Sequence, residues 1–292
     1  MLDFRIDTFI AVCKHLNFTK AAEELNITQP AVSQHIKYLQ SSYQVTLFTY
    51  NGKKISLTKE GETLLNVATT LKHDDIFLRH KLMQSTLHRH RLTFGTTLTV
   101  GQYVILDKVA AYMKQHPNTT IKLTIDNTKR ILQGINDGNI DFGMIEGYFP
   151  KNEYDYIVYT KESYIAICSK QYPLHLGNYT IEELFNERII LREVESGSRD
   201  ILERYLLERN YSVEDFKDCL EINNIQAILR FVEENCGISF VYKKAVEKEL
   251  KEGKIQEIPM QDMHLMHDIT FLWRKNSIFA DEYRRVFDEL VK

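Results

Sequence analysis

Gln29, Pro30, Ser33, Gln34 and Lys37 lie close together in the stretch FTKAAEELNITQPAVSQHIKYLQ, Phe18 to Gln40. Glutamine and serine can each donate and accept hydrogen bonds, lysine carries a mobile cation, and proline adds little bulk. Such a set suits a polar surface that comes very near. In a helix entered at Thr28, the apolar residues Val32, Ile36 and Leu39 fall at i, i+4 and i+7 on a different stripe. That stripe belongs to a core, and the polar face is left for something outside it. On these residues alone, ordinary solvated positions remain the alternative.

A second set of hydroxyls sits where strands give way to helices. GTTLTVG places Thr97 and Thr99 at one such junction, and ESGSR places Ser196 and Ser198 at another. Hydroxyls beside the free N–H groups of a helix N-terminus favour an anion, through hydrogen bonds and the positive end of the dipole. Plain N-capping is the competing explanation for each residue taken singly. Asn127, Glu146 and Asn224 lie near other strand ends, and Arg199 can either pair with a carboxylate ligand or hold its own loop. The cluster His88 to Arg91, HRHR, invites a metal reading but has no neighbouring carboxylate or cysteine, so no metal site is expected. No GxSxG elbow, phosphate-binding loop, HExxH or GxGxxG in its proper context occurs, so no catalytic residue is assigned and the chain is not expected to be an enzyme.

These residues require particular elements to present them. Phe9, Val12 or Cys13, and Leu16 space a first helix; Thr19 is placed as N-cap of a second helix carrying Ala21, Ala22 and Leu25 inward; Asn26 and Ile27 turn into a third, capped by Thr28 with Pro30 in its first turn. That is a helix-turn-helix. LFTYNGKKISLT then supplies two β-prone runs about Asn51-Gly52, which adds a wing. From Lys59 to His88 a single long helix is expected, with Leu64, Val67, Leu71, Leu78 and Leu82 forming a seam that Asp74 and Asp75 interrupt. The seam implies a modest dimer contact.

After Arg91, RLTFGTT, TIKLTID and IDFGMIEG alternate with helical stretches near 100–115 and 128–137, which implies a parallel sheet. SYIAICS, RIILRE, FKDCLEI, GISFVY and KIQEIPM form a second strand set, and DITFLWR with a helix from Phe279 to Val291 closes the chain. The reading is α+β and multidomain: a winged helix-turn-helix over 1–58, a linker helix over 59–90, and a two-lobed α/β domain over 91–292. Lobe I takes about 91–160 and 267–292, and lobe II about 161–266. Hinges fall near Tyr159 to Glu162 and Met263 to Asp268, and a ligand belongs in the crevice between lobes.

Bulk properties narrow the classes further. With 292 residues and 43% apolar content the chain can build more than one core. Its formal charge of −3 means that any affinity for nucleic acid must come from a local basic patch. Cys13, Cys168, Cys219 and Cys236 show no pairing spacing, no apolar run is long enough to span a membrane, and the N-terminus MLDFRIDTF lacks an export pattern, so a cytoplasmic location is expected.

The stretch Phe18 to Gln40, the pair LF followed by LTKEG at Leu57 to Gly61, and the looser DGNIDFGMIEG and ILREVESGSR together resemble LysR-type transcriptional regulators over essentially the whole chain. The resemblance implies a type 2 periplasmic-binding-protein-like effector domain and a homodimer or homotetramer. It further implies a double-stranded DNA operator, a small-molecule effector rather than a cofactor, and RNA polymerase as partner of an activator. With the residue reading above, DNA contacts are expected at Thr19, Thr28, Gln29, Pro30, Ser33, Gln34, Lys37, Lys53 and Lys54, and effector contacts at Thr97, Thr99, Asn127, Glu146, Ser196, Ser198, Arg199 and Asn224. Two positions depart from the family pattern. Tyr50 stands where arginine is common in the wing, and Glu195 stands where the serine loop often has glycine. The alternative is a two-lobed enzyme or solute-binding protein whose helix-turn-helix serves no operator.

Overall fold

The computed structural model describes residues 3–52, 54–87, 90–174 and 177–291. Three helices open the chain: α1 (Phe4–His15), α2 (Phe18–Leu25) and α3 (Gln29–Tyr43). Asn17, not Thr19, caps α2, its side-chain oxygen accepting the N–H groups of Thr19 at 2.9 Å and Lys20 at 3.0 Å. The difference is one of backbone: Asn17 is extended, as a cap must be, whereas Thr19 is already helical. Thr28 caps α3. Val32, Ile36 and Leu39 are buried with Phe9, Val12, Ala21, Ala22, Leu47 and Phe48, and each of the first three side chains contributes about 1.5–3 kcal/mol. The wing, β1 (Phe48–Asn51) against β2 (Lys54–Leu57), pairs Asn51 with Lys54, so the chain reverses one residue later than Asn51-Gly52.

Thr58 ties the wing to the linker. Its hydroxyl donates to the Thr46 carbonyl at 2.7 Å and accepts the Gly61 N–H at 2.9 Å. A side chain on Gly61 would stand 2.3 Å from the Leu47 carbonyl oxygen, so only glycine fits there. The helix that follows, α4 (Lys59–Leu87), is unbroken over 29 residues.

The remainder is a sheet in the order β4-β3-β5-β11-β6-β9-β7-β8, with β10 on the far end of β6. Its strands are β3 (His90–Thr97), β4 (Thr119–Asp126), β5 (Phe142–Glu146), β6 (Tyr154–Ser169), β7 (Arg188–Leu191), β8 (Asp218–Glu221), β9 (Ile238–Tyr242), β10 (Ile255–Ile258) and β11 (Leu265–Arg274). The helices are α5 (Leu106–Gln115), α6 (Thr128–Asn136), α7 (Gly197–Leu207), α8 (Ile225–Glu233), α9 (Glu247–Lys251) and α10 (Ala280–Val291). The expected parallel sheet is only partly so. β3, β4 and β5 run parallel in lobe I and β7, β8 and β9 in lobe II, but β6, β10 and β11 are antiparallel to their neighbours. The reason is that β6 and β11 belong to both lobes: they pair from Tyr164–Leu265 to Tyr154–Arg274, and Tyr159 is bulged out where the register slips at Ile269/Thr270. The helix expected over 100–115 is also divided into a π-helical turn, Val100–Val104, and α5.

α4 lies along lobe I of its own chain. Asp74 accepts the Ser277 hydroxyl at 2.6 Å and the Ile278 N–H at 2.9 Å. Arg274, 1% exposed, donates to the Asn66 carbonyl at 3.2 Å and the Thr70 hydroxyl at 3.4 Å, and Thr70 donates to the Lys275 carbonyl at 3.1 Å. Phe77 packs on Phe279 and Tyr283. Asp74 is therefore an anchor and not an interruption of the seam, while Val67, Leu71 and Leu78 remain exposed on another face of α4.

Asp74→Ala strips a buried hydroxyl and a backbone N–H of their acceptor, and is expected to cost about 2–3 kcal/mol in denaturant unfolding. Asp75→Ala removes only a surface pair with Arg79 and is expected to change stability by less than about 1 kcal/mol. Equal costs for the two variants would contradict the docking of α4.

Candidate DNA interface and effector crevice

On α3, Gln29, Pro30, Gln34 and Lys37 are exposed and Ser33 is half-buried. Gln29 donates its amide to Ser33 at 2.9 Å, which pre-orders two side chains one helical turn apart. Thr28 accepts the Ala31 N–H at 3.4 Å and is spent as a cap, while Thr19 stands exposed on the first turn of α2 beside Lys20. Lys20, an exposed cation at a helix N-terminus, was not singled out from the sequence, although its place next to Thr19 is the signal that marks it. Arg5 and Lys14 are paired with Asp3 and Glu24, whereas Lys20, Lys37 and Lys54 make no ion pair among the described residues. Lys53 lies outside the described residues. Tyr50 is 65% exposed on the wing, where arginine would otherwise bring charge. His35 is turned inward, 2.9 Å from the Thr8 hydroxyl and edge-on to Phe4, and so serves helix packing.

The crevice is closed at its centre. Gly147 of lobe I and Gly197 of lobe II touch so closely that a Cβ on Gly147 would stand 2.8 Å from the Gly197 Cα. Around this contact the hydroxyls of Thr97 and Thr99 reach the carboxyl of Glu146, with Thr97 donating to Oε2. Ser196 and Ser198, both buried, flank Gly197 and lie 3.0 Å from each other. Neither Thr99 nor Ser196 bonds to its own helix as a cap, which leaves their hydroxyls for the crevice. Burial raises the Glu146 carboxyl to about 7 against the pull of nearby Arg192. Tyr164 donates to the carbonyls of Ser198 at 2.8 Å and Phe240 at 3.0 Å, and the buried Tyr242 hydroxyl has no partner among the described residues. Arg192 and Tyr242 follow from their places at the ends of β7 and β9, a rule that applies to any parallel strand and that the sequence reading did not extend to them.

Other candidates are engaged elsewhere. Asn224 is exposed and caps α8, accepting the Ala227 N–H at 3.0 Å. Asn127 caps α6 and reaches Glu195 at 3.5 Å. Arg199 bonds Glu203, Glu221 and the Arg192 carbonyl, and so holds its own loop rather than facing a ligand. Glu195 points across the lobes to Lys129, whose ammonium holds the carboxyl below the usual range and offsets its negative charge. A groove of about 520 Å³ lined by Thr128, Lys129, Tyr148, Glu195, Ser196 and Arg199 opens beside this pair.

A serine, a histidine and an aspartate also meet at the middle of α4, but not as a nucleophile relay. Ser277 donates to Asp74, and His73 Nε2 faces the carbonyls of Asp141 at 3.1 Å and Ile140 at 3.3 Å, so the imidazole cannot take the serine proton. Among the described residues no three His, Cys, Asp or Glu groups cluster for a metal ion, and no helix is long and apolar enough to cross a membrane. His88 and Arg89 of the HRHR run lie outside the described residues.

Comparison with known proteins matches residues 5–62 to the bacterial regulatory helix-turn-helix protein model of the lysR family, and residues 85–291 to the LysR substrate binding domain. The chain is 27% identical over 273 residues to the HTH-type transcriptional regulator CysL of Bacillus subtilis, covering 91% of this chain and 89% of that one. It is 25% identical over 292 residues to a probable RuBisCO transcriptional regulator of Cyanophora paradoxa, covering 96% and 87%. Its fold is shared with the LysR-type regulator CrgA of Neisseria meningitidis, at a TM-score of 0.56, 18% identity and coverage of 100% and 98%. The regulatory domain of Synechocystis CcmR, in complex with 2-PG, gives a TM-score of 0.61 at 19% identity over 70% of this chain and 96% of that one.

The Glu146 carboxyl yields a pH signature. Its folded pKa is raised to about 7 from 4.5, so its burial costs nothing while the group is protonated in both states. The cost grows as pH rises through this window and is complete above it. Glu146→Gln removes that dependence. Between pH 5 and 8 the stability of the variant relative to the native chain is expected to rise by on the order of 2 kcal/mol. A difference that does not change with pH would contradict the buried carboxyl.

Proposed function

This chain belongs to the LysR family of helix-turn-helix transcriptional regulators, and we propose that the outer face of α3 reads operator bases under the control of a small anionic metabolite held between the effector lobes. The observation that carries the DNA half is the exposed set Gln29, Pro30, Gln34 and Lys37 on a helix whose opposite stripe is buried. The major groove admits an α-helix, where glutamine and serine bond base edges and lysine reaches guanine or phosphate. Thr19, Lys20, Lys54 and the N-terminus of α2 suit phosphates, which position more than they specify. Lys53, by its place in the wing sequence, is assigned to the same role.

Several features support an anion in the crevice. The hydroxyls of Ser196 and Ser198 stand at the start of α7 and Tyr242 offers an unused hydroxyl, while the buried Arg192 is held by the Glu193 carboxylate through two bonds of 2.8 Å. Glu146 is compatible with that ligand because a carboxyl titrating near neutrality can hold a proton and donate to an oxyanion instead of repelling it. Thr97 and Thr99 then act through Glu146 as much as on the ligand. The exposed face of α4 supports a homodimer, and through it a homotetramer on an interrupted palindrome, with RNA polymerase as partner where the bound protein activates. We assign the chain no catalytic step and no cofactor, and a cytoplasmic site of action, to which its free thiols are suited.

Selection of bound fragments from a random DNA pool by the full-length protein, at two salt concentrations, tests this reading. The expected result is an interrupted palindrome with half-sites about one or more helical turns apart, and tighter binding at the lower salt. Gln34→Ala should relax preference at one base pair by about 1–3 kcal/mol. Uniform weakening on every sequence would remove Gln34 from base reading, and no enrichment at either salt would remove the operator.

A further inference from the structure

α6 touches lobe II with its first residues and the anchor of α4 with its last. At its start, Lys129 pairs with Glu195 and the Asn127 cap reaches the same carboxylate, while Thr128 donates to the Glu146 carbonyl at 3.2 Å beside the Gly147–Gly197 contact. At its end, Asn136 Oδ1 accepts from Arg274 at 2.8 Å and from the Tyr154 hydroxyl at 2.8 Å. Gly138, two residues on, lies against Ile76 of α4. Between these ends Ile131 and Ile135 are fully buried, so the nine-residue helix, about 13 Å long, passes a displacement of its first turn on to its last.

Arg274 gathers a second line as well. It is the last residue of β11, whose first residues pair with β6 in the lobe II half of that strand. Its guanidinium bonds Asn66, Thr70, Asn136 and Glu153 and lies 5.1 Å over the Tyr154 ring. A buried cation that loses one such partner is costly to leave unsatisfied. A shift of Asn136 or of the β11 end therefore carries the linker helix with it or breaks its docking.

We propose that α6 and Arg274 form a strut that couples the contact between the effector lobes to the docking of α4 on lobe I. Separation of the lobes loosens the linker helix within the same chain, and closure tightens it. An effector that alters lobe closure thereby alters the freedom of the helix that carries the DNA-binding domain. α4 is tied to that domain by the Lys72–Asp7 pair at 2.7 Å. The inference rests on the reading of the crevice as the regulated site, but its test needs no effector and so fails separately from that reading.

The test is amide hydrogen exchange on the ligand-free full chain, followed over α4 residues 66–74. Glu195→Arg opposes Lys129 and touches no residue of α4. It is expected to raise exchange there about threefold, the scale of an exposed ion pair. The charge swap, Lys129→Glu with Glu195→Arg, should restore the native rate, and Asn136→Ala should abolish the response to Glu195→Arg. Faster exchange confined to α6 and α7, with α4 at its native rate, overturns the strut. A response that survives in the Asn136→Ala background also overturns it.

Discussion

One buried guanidinium decides how the parts of this protein are joined. Arg274 closes β11, receives the end of α6, and grips α4 through Asn66 and Thr70. Asp74 and Ser277 complete the same attachment from the other side. A charge out of water is tolerated only when its donors are all placed, so this corner holds one arrangement or none. The consequence is a division of labour on a single helix. One face of α4 is used within the chain, and the face bearing Val67, Leu71 and Leu78 stays exposed.

The DNA-binding part was the more legible from sequence because its information is local. Helical spacing set Val32, Ile36 and Leu39 inside and the polar set outside within a dozen residues. Even there the cap of α2 went to Asn17, since Asn17 and Thr19 are both good caps and only backbone conformation separates them. The linker helix was harder. An aspartate in a heptad reads as a break when its partners, Ser277 and Ile278, lie more than two hundred residues away. Arg274 ends an apolar strand and looks like a flanking surface charge. The antiparallel strands escaped notice because β6 carries both lobes in one run, and the hydrophobic pattern of a strand does not state the direction of its neighbour.

The crevice shows the same limit in its chemistry. Thr97, Thr99, Ser196 and Ser198 meet at the contact between lobes, but the groups that set its electrostatics, Glu146 and Arg192, act on each other across it. Burial of Glu146, only partly opposed by Arg192, turns a carboxylate, which alone would repel an anion, into a group poised near neutrality. Glu195, which looked obstructive in the serine loop, is neutralised by Lys129 and becomes part of the lobe contact. What each carboxylate does depends on a partner far away in sequence.

The central claim is that α4 serves two partners with two faces, and sedimentation velocity of the full chain tests it most directly. Leu71→Lys with Leu78→Lys charges the exposed face while leaving Asn66, Thr70, Asp74 and Phe77 in place. The account predicts that the native chain sediments as an oligomer, and that the double variant sediments as a smaller species with unchanged denaturant unfolding of the effector domain. A variant of native size, or one whose effector domain unfolds with the loss of assembly, would contradict it.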